Sequence, residues 1–221
     1  MAERTGHGMG AVPRVDVWRV AISSGSEPSA ESLSQDERCR LERRLDAAAR
    51  RRALAAWASQ RVILSGYLGC APREVVLERD DRGRPFVQTN GPVLEHSMAH
   101  SGEWMMLAVS SASPVGIDLE RVDASVDAER LARRFFPPDE AEAIAALPTD
   151  LRAAAFFRAW TEKEAYLKGV GGGVPSRLRS VRLRRDVPDG VAAVGEWRLH
   201  VLEAPPGYVA CLAVRAPAVE L

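Results

Sequence analysis

Gly116-Ile117-Asp118-Leu119-Glu120, with Phe156-Phe157-Arg158-Ala159-Trp160-Thr161-Glu162-Lys163-Glu164-Ala165-Tyr166-Leu167-Lys168 some forty residues further on, is the sequence on which the reading of this chain turns. In a strand, side chains alternate, so Asp118 and Glu120 share one face while Ile117 and Leu119 point into a core. Neighbouring carboxylates repel unless a cation or a proton sits between them. An oxygen-only donor set suits a hard ion such as Mg²⁺, which takes one or two carboxylates and shares its other positions with phosphate and water. A strand end carrying solvated acids fits the same residues.

The second stretch has helical periodicity. At about 100° per residue, Phe156, Leu167, Trp160 and Phe157 fall within an arc about 100° wide. Glu164 lies inside that arc, Lys168 at its edge one turn beyond, Lys163 at the other edge, and Glu162 well outside it. A carboxylate on a buried stripe must find a partner, because burying it unpaired is very costly. A Glu164–Lys168 pair at i,i+4 supplies one, and is worth about 0.3–0.5 kcal/mol when exposed. Of the 30 basic side chains, all but Lys163 and Lys168 are arginine.

Working outward, Ser34-Gln35-Asp36-Glu37 reads as a capped helix start, with a break near Asp46 and a stop at Gly69 and Pro72. Strands are expected at Val15–Ile22, Val75–Arg79, Phe86–Gln88, Met98–His100 and Trp104–Ser110. After Pro114 come a strand at Val115–Arg121 and helices at Asp127–Phe135, Pro138–Ala146 and Leu151–Gly169. A Gly171-Gly172-Gly173 loop and strands at Ser180–Arg184, Trp197–Glu203 and Tyr208–Val214 complete the pattern. This predicts a tail over 1–13, an α/β half over 14–114 and a second over 115–221, although no internal repeat is visible in the sequence. Between Arg38 and Arg61 eight arginines stand against Glu42 and Asp46, either a solvated helix face or a surface for phosphate or an acidic partner.

Taken together, these motifs resemble those of the Sfp-type 4′-phosphopantetheinyl transferases. The paired Gly-Ile-Asp-Leu-Glu and Trp-Thr-Glu-Lys-Glu-Ala-Tyr-Leu-Lys elements, the His96-Ser97-Met98-Ala99-His100-Ser101-Gly102-Glu103-Trp104 segment and the Gly83-Arg84-Pro85-Phe86 turn occur in that family's order and spacing. The resemblance implies an α/β (α+β) fold of two similar halves in pseudo-twofold arrangement, with coenzyme A bound between them. It implies transfer of the phosphopantetheine arm from coenzyme A to a serine of an acyl or peptidyl carrier protein, with release of 3′,5′-ADP. Asp118, Glu120 and Glu164 would hold Mg²⁺ and Lys168 would contact the pyrophosphate. Arg84 and His100 would meet the nucleotide phosphates, with Arg40 and Arg52 as further basic contacts. Ala99 replaces a frequent serine of the family and Arg84 a lysine, which changes donor geometry. The attacking serine needs a base, either Glu164 or a water on the metal. A Mg²⁺-dependent diphosphate hydrolase using the same carboxylates is the rival reading.

Bulk properties narrow the classes further. A hydrophobic content of 46% and a charged content of 27% are those of a soluble globular protein, and zero net charge gives no general pull toward nucleic acid. No apolar run spans a bilayer and residues 1–10 lack a signal-peptide pattern, so no membrane association and a cytoplasmic location are expected. Cys39, Cys70 and Cys211 form no C-x-x-C pair, and motifs on both sides of residue 114 predict a monomer that builds its own site.

Overall fold

The computed structural model describes residues 3–5, 14–23, 29–81, 83–89, 91, 93–171, 175–185 and 191–215. In chain order these form β1 (Glu3–Thr5), β2 (Val15–Ala21), α1 (Gln35–Glu42), α2 (Ala47–Leu68), β3 (Leu77–Arg79), β4 (Pro85–Val87), β5 (Glu95–Ser101), β6 (Trp104–Ser110) and β7 (Val115–Arg121). There follow α3 (Ala128–Phe135), α4 (Pro138–Ala145), α5 (Thr149–Val170), β8 (Ala192–Val194), β9 (Trp197–Leu202) and β10 (Tyr208–Arg215). Helix α1 starts on a full capping box between Ser34 and Glu37, and the break before α2 is capped by Asp46, which accepts from Ala49 N. Gly69 ends α2 in the left-handed region at φ 65°, a conformation that favours glycine.

The described strands form two four-stranded sheets, ordered β1-β2-β6-β5 and β7-β10-β9-β8, and a small β3-β4 hairpin, with antiparallel pairing throughout. The same connectivity occurs twice. A strand (β2 or β7) leads into helices, then into a hairpin (β5-β6 or β9-β10) whose last strand returns to pair with the first. The mixed helix-and-sheet class expected from the sequence is what the chain adopts.

Three layers of core hold this together. Ala55, Ala56 and Leu64 of α2 pack with Met105, Leu107 and Val109 of β6. On the second sheet, Ala165 of α5 packs with Leu199, Cys211 and Ala213. Between the sheets, Val17 and Ala108 of the first meet Ile117, Leu119 and Leu212 of the second in one cluster. Ile117 and Leu119 therefore face a core, as the alternation predicts. No helix among the described residues is long and apolar enough to cross a membrane.

Several boundaries differ from the sequence reading. Ser180–Arg184 does not form a strand: a 3₁₀ turn covers Pro175–Ser180, and only Arg184 bridges to Ala193. Arg182 and Arg185 instead reach Asp139 and Glu162, so ionic partners override the alternating pattern. The edge strand β8 had no signal strong enough to be expected. Residues 3–5, inside the segment read as a tail, pair with β2, whereas 1–2, 6–13 and Gly172-Gly173 lie outside the described residues. In the arginine-rich region, Arg61 is buried, pairing with Glu37 at 2.9 Å and donating to Val75 O at 2.6 Å. That arginine belongs to neither a solvated face nor a phosphate surface.

Candidate active site

The site begins with a missing side chain. A Cβ on Gly116 would stand 2.0 Å from Ala165 O and 2.5 Å from Gly169 N, so only glycine lets α5 lie this close on β7. That contact brings together residues 50 positions apart, and Lys168 Nζ donates to Asp118 Oδ1 at 2.6 Å. Asp118 is buried, and its second oxygen, Oδ2, has no partner among the described residues. Two residues along the strand, Glu120 Oε2 accepts from Ser101 Oγ at 2.9 Å.

The three carboxylates feel one another. Burial and then the Asp118 charge push Glu120 up to about 7, against the opposing pull of Ser101 and Lys168, and Glu164 adds to the rise. Glu164 is likewise raised by burial and then by Asp118, with Lys168 opposing. Nearby, burial followed by Arg44, Lys168 and Arg52 holds His100 below its usual value. Arg52 and His100, both singled out in the sequence, are thus brought close enough to interact, and Arg44 joins them.

A cleft of about 450 Å³ opens beside this cluster, and its wall includes Arg40, Trp57, Arg84, His96, Glu164 and Lys168. Asp118, Glu120, His100 and Arg52 do not line it; Lys168, bonded to Asp118, is the link between cleft and strand acids. The Arg40 and Arg44 guanidinium groups lie 5.2 and 5.8 Å from the Trp57 ring centre, a cation–π arrangement. Arg40 Nε is 3.0 Å from Asp36 Oδ2, yet it makes no hydrogen bond among the described residues, so that contact is ionic. Arg84 is paired with Glu95.

Two sequence expectations about α5 are corrected. Glu162, placed outside the buried arc, is 1% exposed and held by Arg158 and Arg185. Lys163 is fully buried, bonded to Glu140 and to Val181 O. The single-arc picture assumed one buried face, whereas α5 is packed against β7 and β10 and also against α3, α4 and the 3₁₀ turn at Pro175–Ser180. The Glu164–Lys168 pair that the i,i+4 spacing allows is absent from the ion pairs of the described residues, because Lys168 turns to Asp118 instead. Sequence reasoning passed over Trp57, His96 and Ser101. The neighbour of Ser101, Glu120, is visible only once β5 lies against β7.

The fit to a divalent cation can be judged from these residues. Among the described residues no group of three or more His, Cys, Asp or Glu side chains is arranged to hold a metal ion. Lys168 nevertheless pairs with only one of the three acids, Asp118, whose buried Oδ2 has no donor among the described residues, and the Asp118 charge reaches both Glu120 and Glu164 and drives them toward protonation. That is an uncompensated negative centre, and Mg²⁺ needs only one or two carboxylates from the protein when phosphate supplies the rest. The donor set fits the ion.

Comparison with known proteins agrees over both halves. Residues 114–212 match the model of the 4′-phosphopantetheinyl transferase superfamily, and residues 20–112 match that of the 4′-phosphopantetheinyl transferase N-terminal region. The chain is 35% identical over 210 residues to the 4′-phosphopantetheinyl transferase HetI of Nostoc sp., covering 90% of this chain and 87% of that one. It is 34% identical over 154 residues to psf-1 of Bacillus pumilus, covering 66% and 63%, and 31% identical over 157 residues to the transferase of Bacillus subtilis, covering 63% and 68%. The acids of β7, the lysine of α5 that meets Asp118 and the cleft beside them therefore belong to a member of the 4′-phosphopantetheinyl transferase superfamily.

Proposed function

We propose that the cleft beside Asp118, Glu120, Glu164 and Lys168 is where this transferase moves the 4′-phosphopantetheine group from coenzyme A to a serine of an acyl or peptidyl carrier protein. The observation that carries the assignment of the site is the Lys168–Asp118 contact, which ties a cation on the cleft wall to the buried acid behind it. In this reading Asp118, Glu120 and Glu164 hold Mg²⁺, which when bound neutralises charge on the diphosphate of coenzyme A. Arg40 and Arg84 on the cleft wall receive the nucleotide end, and the family resemblance adds Arg52 and His100, which lie off that wall; for Arg84 this means exchanging its Glu95 partner for phosphate.

The carrier serine attacks the β-phosphorus, forming a new P–O bond as the bridging P–O bond breaks. Its proton passes to Glu164, the carboxylate on the cleft wall. The bond electrons leave on 3′,5′-ADP, where the Lys168 ammonium offsets the growing charge. We take the active species to be a cytoplasmic monomer with its halves meeting at 114–115, since the motifs of the site fall on both sides of that boundary in the sequence. Light scattering that showed an obligate oligomer would contradict the monomer.

Intact-mass spectrometry of an apo carrier protein incubated with enzyme, coenzyme A and Mg²⁺ tests the activity. The expected product is carrier bearing one phosphopantetheine group, formed only with the metal. Unmodified carrier together with free phosphopantetheine would instead assign the cleft to a diphosphate hydrolase with water as nucleophile.

A further inference from the structure

β5 and β7 are edge strands of their sheets, and they lie against each other without a backbone ladder between them. Two serines on one side of β5 do the joining. Ser97 Oγ accepts from Ile117 N at 3.0 Å, and Ser101 Oγ accepts from Arg121 N at 3.1 Å. Both pairs are four residues apart, so the two hydroxyls form matching staples along the β7 edge. Position 99, midway between them, is alanine and offers no third.

The staples differ in where their protons go, and Ser97 lines the cleft whereas Ser101 does not. A serine hydroxyl has one proton, and with its oxygen occupied by a backbone N–H that proton must go elsewhere. Ser101 gives it to Glu120 Oε2 at 2.9 Å. Ser97 has no carboxylate in reach among the hydrogen bonds of the described residues.

We propose that Ser101 is a positioning residue for Glu120: held as a donor by the Arg121 amide, it fixes Oε2 of that carboxylate and leaves Oε1 to face the ligand. The inference rests on the reading that Glu120 meets the cation. It explains why a hydroxyl beyond the cleft wall belongs to the site. It joins the halves and orients an acid in one stroke, so closure of the two sheets and assembly of the carboxylate centre become the same event. Outer partners that orient a ligating carboxylate typically change metal affinity by about 10–100-fold.

Ser97 provides the comparison, since Ser97→Ala removes the other staple without touching a carboxylate; because Ser97 also lines the cleft, coenzyme A affinity is measured alongside for every variant. Mn²⁺ binding in the presence of coenzyme A, followed by electron paramagnetic resonance, reads the cation directly. Ser101→Ala is expected to weaken Mn²⁺ about tenfold. Ser97→Ala should stay within about twofold of the unmodified protein, and Ser101→Thr, which keeps the hydroxyl, should restore affinity. In the Glu120→Gln background, Ser101→Ala should add no further loss. Thermal unfolding should show both alanine variants folded, with similar falls in Tm.

If Glu120→Gln weakens Mn²⁺ while Ser101→Ala does not, Ser101 is only a staple and the inference is overturned. Equal weakening by Ser97→Ala and Ser101→Ala would also overturn it, since the effect would then run through the joint. Unchanged Mn²⁺ affinity in Glu120→Gln would remove the cation reading of Glu120, and the inference with it.

Discussion

Lys168 Nζ donates to Asp118 Oδ1 at 2.6 Å, closing a contact between α5 and β7 across 50 positions of sequence. The partner is not the glutamate one turn earlier on the same helix. An ammonium is compact and can turn its donors, whereas guanidinium is a planar fork that effectively never gives up its proton. Lys168→Arg is therefore expected to lower turnover about a hundredfold while the protein stays folded, the range for loss of one charge-stabilising group. Steady-state transfer with circular dichroism checks this; near-normal turnover would reduce Lys168 to a generic cation.

Gly116→Ala tests how α5 is held. The added methyl would meet backbone, Ala165 O at 2.0 Å, and backbone cannot swing aside as a side chain can. The expected result is a loss of about 3 kcal/mol or more in urea unfolding. Turnover should fall further than Lys168→Arg alone produces, because helix and strand acids separate together. A variant as stable and active as the parent would show that the helix has room to move.

Lys163 separates structure from chemistry. It is buried and bonded to Glu140 and Val181 O on the side of α5 away from the acids of β7. Lys163→Met leaves the Val181 carbonyl without its donor, for a cost of about 1–3 kcal/mol. The folded fraction should keep turnover within about threefold, since no transition-state contact is removed. A hundredfold loss in fully folded protein would place Lys163 in the reaction after all.

The fold and the site were unequally legible. Ser34 with Glu37, Asp46 and Gly69 announced the helix ends, and the alternation around Ile117 and Leu119 announced the shared core. Local signals of that kind survive folding because the partners are near in sequence. Glu162 and Lys163 misled because their burial depends on α3, α4 and the 3₁₀ turn closing around α5 from several sides. The doubled connectivity also left no trace that the eye could find, since topology constrains pairing rather than residue identity. Ser101 could not be read as a partner of Glu120 before two sheet edges were known to meet.

His96 predicts a pH dependence. It is 2% exposed, both ring nitrogens lack partners among the described residues, and burial and then Arg84 lower its pKa to about 4. Between about pH 6.5 and 4 the unfolded chain binds the proton that the folded one refuses, so stability falls as pH falls through that window. His96→Phe should flatten this part of the profile relative to the parent. At pH 7.5 it should be at least as stable, because two unpaired nitrogens are removed. Superimposable urea midpoints of parent and variant from pH 7.5 to 4.5 would contradict the assignment.

The most direct test of the carboxylate centre is anomalous diffraction from crystals grown with coenzyme A and Mn²⁺ in place of Mg²⁺. The account predicts one peak beside the coenzyme A diphosphate, with carboxylate oxygens of Asp118, Glu120 and Glu164 bound directly or through one water. A peak on other residues, or all three carboxylates lying further than about 5 Å from the ion, beyond the reach of a bridging water, would contradict it.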